Sequence, residues 1–172
     1  MIHEVSGDIL LSRAQVLAHG VAPNDSFAHG LALALRQRWP SMYRDFRHWC
    51  HTEHPKEGTI WAWAGVGPTT QRIVALMTQE AAYGHGATPG VAHVEHVNHA
   101  LKALRTYCES EQIRSLALPR LATGVGRLAW ENVLPLIHQH LGPLKFPVLL
   151  YTTYHPGVPA NESQVLGHTE SR

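Results

Sequence analysis

Residues 115–130 read Ser115-Leu116-Ala117-Leu118-Pro119-Arg120-Leu121-Ala122-Thr123-Gly124-Val125-Gly126-Arg127-Leu128-Ala129-Trp130. The first five form a short, continuously apolar run, the mark of a strand buried on both faces of a parallel sheet. Two glycines then break the chain, and a helical pattern follows over residues 130–141. Working outward, residues 91–109 carry Val94, Val97, Leu101, Leu104 and Cys108 on one helical stripe, and residues 147–152 form another apolar strand. On the N-terminal side, residues 2–5 and 16–22 read as strands, the second closing on Pro23-Asn24-Asp25. Ala28, Leu31, Leu35 and Trp39 then fall at helical spacing until Pro40 ends the segment. Ser41 is placed to cap a second helix, whose apolar stripe is Met42, Phe46 and Trp49. Residues 59–64 and 72–77 read as strands joined by a turn around Gly65, Gly67 and Pro68, and Trp61 and Trp63 share one face for core packing. Strands alternating with helices predict an α/β protein, a three-layer α/β/α domain over residues 1–154 with a mixed, mostly parallel central sheet. Residues 155–172, polar and rich in turn formers, are expected to be a disordered tail.

Composition narrows the function. The 172 residues are 44% hydrophobic and 16% charged, enough for one core and unlike a disordered chain or a coiled coil. Lys and Arg total 14 against 13 Asp and Glu, and no basic block occurs, so bulk charge does not point to nucleic acid. Arg36, Arg38, Arg44 and Arg47 make a modest cationic face, either merely solvated or able to meet a nucleic-acid backbone. Cys50 and Cys108 stand alone, which argues against a disulfide framework and a cysteine zinc site and for a reducing compartment. With no apolar run near the roughly 18 residues of a membrane span and no targeting pattern at the start, a cytoplasmic protein is expected. The 14 histidines are the oddity. His93, His96 and His99 recur every third residue on one helix, and the third points too far round to share a metal with the first, so no metal is expected.

In an open α/β sheet, ligands gather beyond the carboxyl ends of the strands. There, Gly124-Val125-Gly126 allows backbone N–H groups to converge on a phosphate or diphosphate, or simply makes a tight turn. Gly124 to Ala129 also matches a dinucleotide fingerprint, but it follows the wrong strand and no carboxylate answers it in residues 146–153. The segment 19–30 enters a helix at Gly30-Leu31-Ala32, a second anion-competent start. Two such starts suggest a pyrophosphate. Asp8, ending the first strand, either accepts a hydrogen bond from an exocyclic amine such as that of adenine or caps the turn at Ile9.

Taken in order, Gly7-Asp8-Ile9-Leu10, Leu17-Ala18-His19-Gly20-Val21 leading to His29-Gly30-Leu31-Ala32, and Leu118 through Trp130 resemble a macrodomain, the ADP-ribose-binding family. Trp130-Glu131-Asn132-Val133 is similar to the branch that holds the terminal ADP-ribose protein glycohydrolase, the antitoxin that strips ADP-ribose from DNA, and an ADP-ribose 1''-phosphate phosphatase. The resemblance implies that Asp8 binds adenine, with Ile9 lining its pocket and Tyr151 beside it. Gly124, Val125 and Gly126 would embrace the diphosphate and distal ribose, Gly30 and Leu31 would close the other side, and Val21, Asn24, Thr123, Arg127 and Leu128 would complete the binding set.

Glycohydrolases of this branch use a lysine where this chain has Gln79, and the protein-directed one an aspartate where it has Gly126. A glutamine amide is not a nucleophile, so the resemblance implies attack by water, activated by His19, His29 or His85 and oriented by Gln79 or Asn24. The implied function is removal of ADP-ribose from a protein or nucleic acid by a monomer without cofactor or metal. The alternatives are a non-catalytic ADP-ribose reader and an ADP-ribose 1''-phosphate phosphatase.

Overall fold

The computed structural model describes residues 1–65 and 71–166. Six strands, β1 (Ile2–Gly7), β2 (Val16–Val21), β3 (Ile60–Ala64), β4 (Arg72–Met77), β5 (Leu116–Pro119) and β6 (Val148–Tyr154), form one sheet in the order β1-β6-β5-β2-β4-β3. All neighbours are parallel except β3, which runs antiparallel to β4. The helices are α1 (Gly30–Arg38), α2 (Pro40–Glu53), α3 (Val94–Ser110), α4 (Trp130–Leu141) and a short α5 (Ser163–Leu166). The sheet is thus mixed and mostly parallel, as expected.

The three layers follow from the two-residue period of a strand. Val16, Ala18, Val74, Leu76, Leu116 and Leu118 point to the face covered by Val97, Leu101 and Leu104 of α3 and Val133 and Ile137 of α4. The intervening Leu17, Val21, Ile73, Ala75, Met77 and Ala117 point the other way, to Leu35 of α1 and Met42, Phe46 and Cys50 of α2. Because both faces are covered, Leu116–Leu118 is apolar at every position and carries no alternation. Trp61 extends the second core, packing on Phe46 at 5.5 Å and Trp49 at 6.1 Å, while the Trp63 indole N–H donates to Asp45 at 2.9 Å. Cys50 and Cys108 are free thiols, one in each core. No helix among the described residues is long and apolar enough to cross a membrane.

Several local expectations change. Pro40 opens α2 at its first position, with Trp39 before it, so the helix starts without Ser41 as its cap; the ring fixes φ where no N–H bond is needed. Helix α3 begins at Val94 rather than at residue 91, because Ala92 pairs with Gln79 and donates its N–H to Gly126 at 2.9 Å. In the β3–β4 turn, Gly67 and Pro68 lie outside the described residues.

The largest correction concerns the C-terminal segment. Residues 155–166 are not a loose tail but fold back over the first strand's end. Val158 accepts the Asp8 N–H at 2.8 Å, and His155 donates to the Gly7 carbonyl at 3.2 Å. Glu162, buried, accepts from the Ser12 hydroxyl at 2.6 Å, the Arg13 N–H at 2.8 Å and the Tyr151 hydroxyl. Composition does not reveal one carboxylate with three long-range donors. Residues 167–172 lie outside the described residues. Replacing Glu162 by Ala strands those donors, which should cost about 2–3 kcal/mol and lower the melting temperature by roughly 5–10 °C. An unchanged melting curve would mean the segment contributes nothing.

Candidate active site

The carboxyl ends of the parallel strands open onto an elongated cleft with two connected parts. The broad part, about 550 Å³, is lined from residues 19–32, 79–89 and 119–126. The narrow part, about 380 Å³, shares Gly30, Leu31 and Pro119 with it and continues past Asp8 and Ile9 to Tyr151 and Tyr154.

The glycine loop owes its shape to Gly126. A Cβ there would stand 2.7 Å from the Ala122 carbonyl oxygen and 2.8 Å from the Ala92 methyl, so no side chain fits, an aspartate included. The loop closes through Arg127 N–H to Gly124 at 3.1 Å and Leu128 N–H to Ala122 at 2.9 Å. Among the described residues, the N–H groups of Gly124, Val125 and Gly126 meet no acceptor. Gly124 is different: a Cβ there would meet nothing within 4 Å. On the other wall stands the first turn of α1, where Gly30 takes a left-handed φ of 59° and the N–H groups of Gly30, Leu31 and Ala32 are likewise unpaired. The positive end of α1, not that of α4, therefore meets the cleft.

At the narrow end Asp8 does cap the turn Ile9–Leu11, accepting the Leu10 N–H at 3.0 Å, and its second oxygen accepts the Gly157 N–H at 2.9 Å. Each carboxylate oxygen keeps a further lone pair for a ligand.

His19, Val21, His29, Gln79, Gly30, Leu31 and the glycine triplet all line the broad part. The His19 ring is buried edge-on to Phe27 at 5.5 Å, and neither ring nitrogen has a partner. Burial pushes its pKa down to about 4, so the ring is uncharged at neutral pH. It then offers one donor and one acceptor, both unsatisfied. His29 is exposed and precedes α1. The Gln79 side chain is buried and its Nε2 donates to the Gly90 carbonyl at 3.0 Å, which fixes the amide orientation.

Five expected site residues stay out of the lining. His85 is exposed, because the chain after Gln79 doubles back through Glu80 and Gly90 and projects residues 84–87 to solvent. Asn24 is tied away, its Nδ2 donating to Ala82 at 3.0 Å and its N–H to the Cys50 sulfur at 3.2 Å. The Thr123 hydroxyl donates to Arg120, the Arg127 side chain is exposed, and Leu128 packs on the core, so these three shape the loop. Conversely, Asp25 was missed. Buried in the cleft wall, it accepts the N–H groups of Ala22 at 2.9 Å and Phe27 at 2.8 Å, and burial raises its pKa. The signal was an aspartate two residues before a backbone donor in a turn-forming run.

No family model matches the chain. Over 165 residues it is 23% identical to a DNA ADP-ribosyl transferase-DNA ADP-ribosyl glycohydrolase fusion protein of Thermosipho africanus, covering 90% of this chain and 42% of the relative. It is 26% identical over 146 residues to a DNA ADP-ribosyl glycohydrolase of Thermus aquaticus, covering 84% of this chain and 39% of that protein. The chain therefore spans about two fifths of the length of these two relatives. Human ADP-ribose glycohydrolase OARD1 is 23% identical over 149 residues, and there the alignment covers 89% of the relative and 86% of this chain. Among solved structures, the macrodomain of Thermus aquaticus DarG matches with a TM-score of 0.77 at 25% identity, covering 88% of this chain and 98% of that one. Thermosipho africanus DarTG in complex with ADP-ribose also reaches 0.77, at 22% identity, covering 95% of this chain and 44% of that one. The chain has the macrodomain fold, and its relatives over most of its length carry the names of ADP-ribosyl glycohydrolases.

Proposed function

We propose that this chain binds ADP-ribose along the cleft and hydrolyses the bond joining it to a protein or nucleic acid, acting as a cytoplasmic monomer. The observation that carries the reading is the pair of unpaired N–H rows, Gly124–Gly126 and Gly30–Ala32, on facing walls of one cleft. A diphosphate between them satisfies donors that the protein leaves open. Adenine then extends to the narrow end, between Asp8 and the tyrosines, and the distal ribose toward Gln79 and His29. The names of the relatives and the ADP-ribose complex of a structural neighbour support the same ligand.

In the proposed step, a water oxygen attacks the anomeric carbon of the distal ribose. Its proton passes to His29, the reachable imidazole, while the bond to the acceptor breaks and its electron pair leaves with the acceptor atom, which is then protonated. Gln79, with Nε2 committed to Gly90, turns Oε1 to the water. The diphosphate offsets the positive charge growing on the ribose. His19, held neutral, gives the ligand a hydrogen bond and is a poor base at neutral pH. A reader that binds without turnover is the second reading, favoured by the non-basic Gln79 amide.

Calorimetry with free ADP-ribose should show binding that Asp8→Ala and Gly124→Val each weaken by at least about tenfold. Gly124→Val should fold normally, since its side chain enters open space. No binding by the parent protein would end this reading. Wild-type protein should release ADP-ribose from modified DNA or protein, with His29→Ala slower by about a hundredfold. Binding without release leaves the reader, and release of phosphate from ADP-ribose 1''-phosphate alone the phosphatase.

The His19 assignment has its own check. A histidine whose folded pKa lies near 4, against 6.5 in the unfolded chain, lets the unfolded state take up the proton first as pH falls. Its stabilising contribution is full above about pH 6.5 and lost on the way to about 4. Between pH 7 and 4.5, wild type should therefore lose about 2–3 kcal/mol more stability in urea than His19→Gln. Parallel pH profiles would place His19 in water instead.

A further inference from the structure

Residues 155–162 line neither part of the cleft, yet they hold the carboxylate at its narrow end. The segment lies as a strap on the end of β1, where Gly7 has a φ of 152° and a Cβ would stand 2.7 Å from the Ala160 nitrogen and 2.8 Å from the Val158 carbonyl oxygen. Only glycine admits the strap so close. From this seat Gly157 donates its N–H to Asp8 Oδ2 at 2.9 Å, while Leu10 donates its own to Oδ1 at 3.0 Å. The two donors come from opposite ends of the chain. A carboxylate held by one of them turns easily about its Cβ–Cγ bond; held through both oxygens, its plane is fixed.

The strap is anchored by Glu162, only 3% exposed. Its Oε2 accepts the Ser12 hydroxyl at 2.6 Å and the Tyr151 hydroxyl, and its Oε1 accepts the Arg13 N–H at 2.8 Å. One side chain thus ties the strap both to the turn that follows Asp8 and to the last strand. The Tyr151 hydroxyl is spent on this bond, which leaves the ring as an apolar wall of the narrow part. Glu162 itself is absent from that wall, so any effect on a ligand passes through the groups it holds.

We propose that Glu162 is a positioning residue: by anchoring the strap it keeps the Gly157 N–H on Asp8, and so gives the cleft its preference for a base that presents an exocyclic amine. The proposal rests on the ADP-ribose reading of the cleft. An amine at the base edge donates to the lone pair that the fixed carboxylate turns inward, a charge-assisted bond. A base without the amine leaves that oxygen unpaired. When the strap is loose, Asp8 swings to solvent and the distinction disappears. Apolar packing against Ile9, Leu31 and the Tyr151 ring serves either base alike.

The test is calorimetry of the whole protein with ADP-ribose and with its analogue built on unsubstituted purine, which lacks only the 6-amino group. Wild type should prefer ADP-ribose by at least about tenfold. Glu162→Ala should bring the preference below about threefold, chiefly by weakening ADP-ribose. Glu162→Gln should restore it, since the amide keeps an acceptor for Arg13 and the Ser12 and Tyr151 hydroxyls can turn to accept its N–H groups. A second measurement needs no variant. Coupling between ligand and strap is reciprocal, so saturating ADP-ribose should slow hydrogen exchange over residues 155–162 by about tenfold, and the purine analogue by less than about threefold. An unchanged preference in Glu162→Ala, a Glu162→Gln no better than Glu162→Ala, or equal protection of the strap by the two ligands would overturn the proposal. Wild type that binds both ligands equally ends this proposal and leaves the ADP-ribose reading standing, whereas wild type that binds neither ends both.

Discussion

At Gly126 the chain passes so close to the Ala122 carbonyl and the Ala92 methyl that only a hydrogen atom fits between them. That contact fixes the loop after β5 against the lead-in to α3, and the Ala92 N–H bond to the Gly126 carbonyl holds it there. Ala92 in turn bridges to Gln79 at the end of β4. Three segments distant in sequence are thus drawn into one wall, with Gln79 inside it and the unpaired loop N–H groups turned to the cleft. The same closeness removes any room for a carboxylate at position 126.

Among the polar side chains of the cleft, burial keeps His19 neutral, Asp25 holds its own turn and Asp8 caps another. Backbone donors are left as the main unsatisfied partners. Such donors are pre-ordered by the sheet and helix around them, so they need no reorganisation when an anion arrives.

Much of the fold was legible because burial on both faces writes itself into composition. The apolar β5 and β6 and the stripes of α3 and α4 needed no tertiary information, and α4 spans the residues its pattern predicts. The start of α3 was not legible, since hydrogen bonds from Ala92 to a loop thirty-odd positions away in sequence override a helical pattern. The strand-end rule located His19, Gln79, Gly30 and the glycine triplet. It failed for His85 and Asn24, because nearness to a strand end says nothing about which way the following turn points. Asp25 was overlooked for the converse reason: its role is made entirely of backbone contacts, which residue type advertises only weakly.

The strand order also sets a sequence of assembly. Strand β1 joins the sheet only beside β6, and the peptide of Asp8 is held by Val158. A ribosome that has delivered residues 1–147 has made β2, β4 and β5, yet β1 has no neighbour and Asp8 no anchor. The Asp8 end of the cleft, although it lies on the earliest strand, is therefore the last part to take shape.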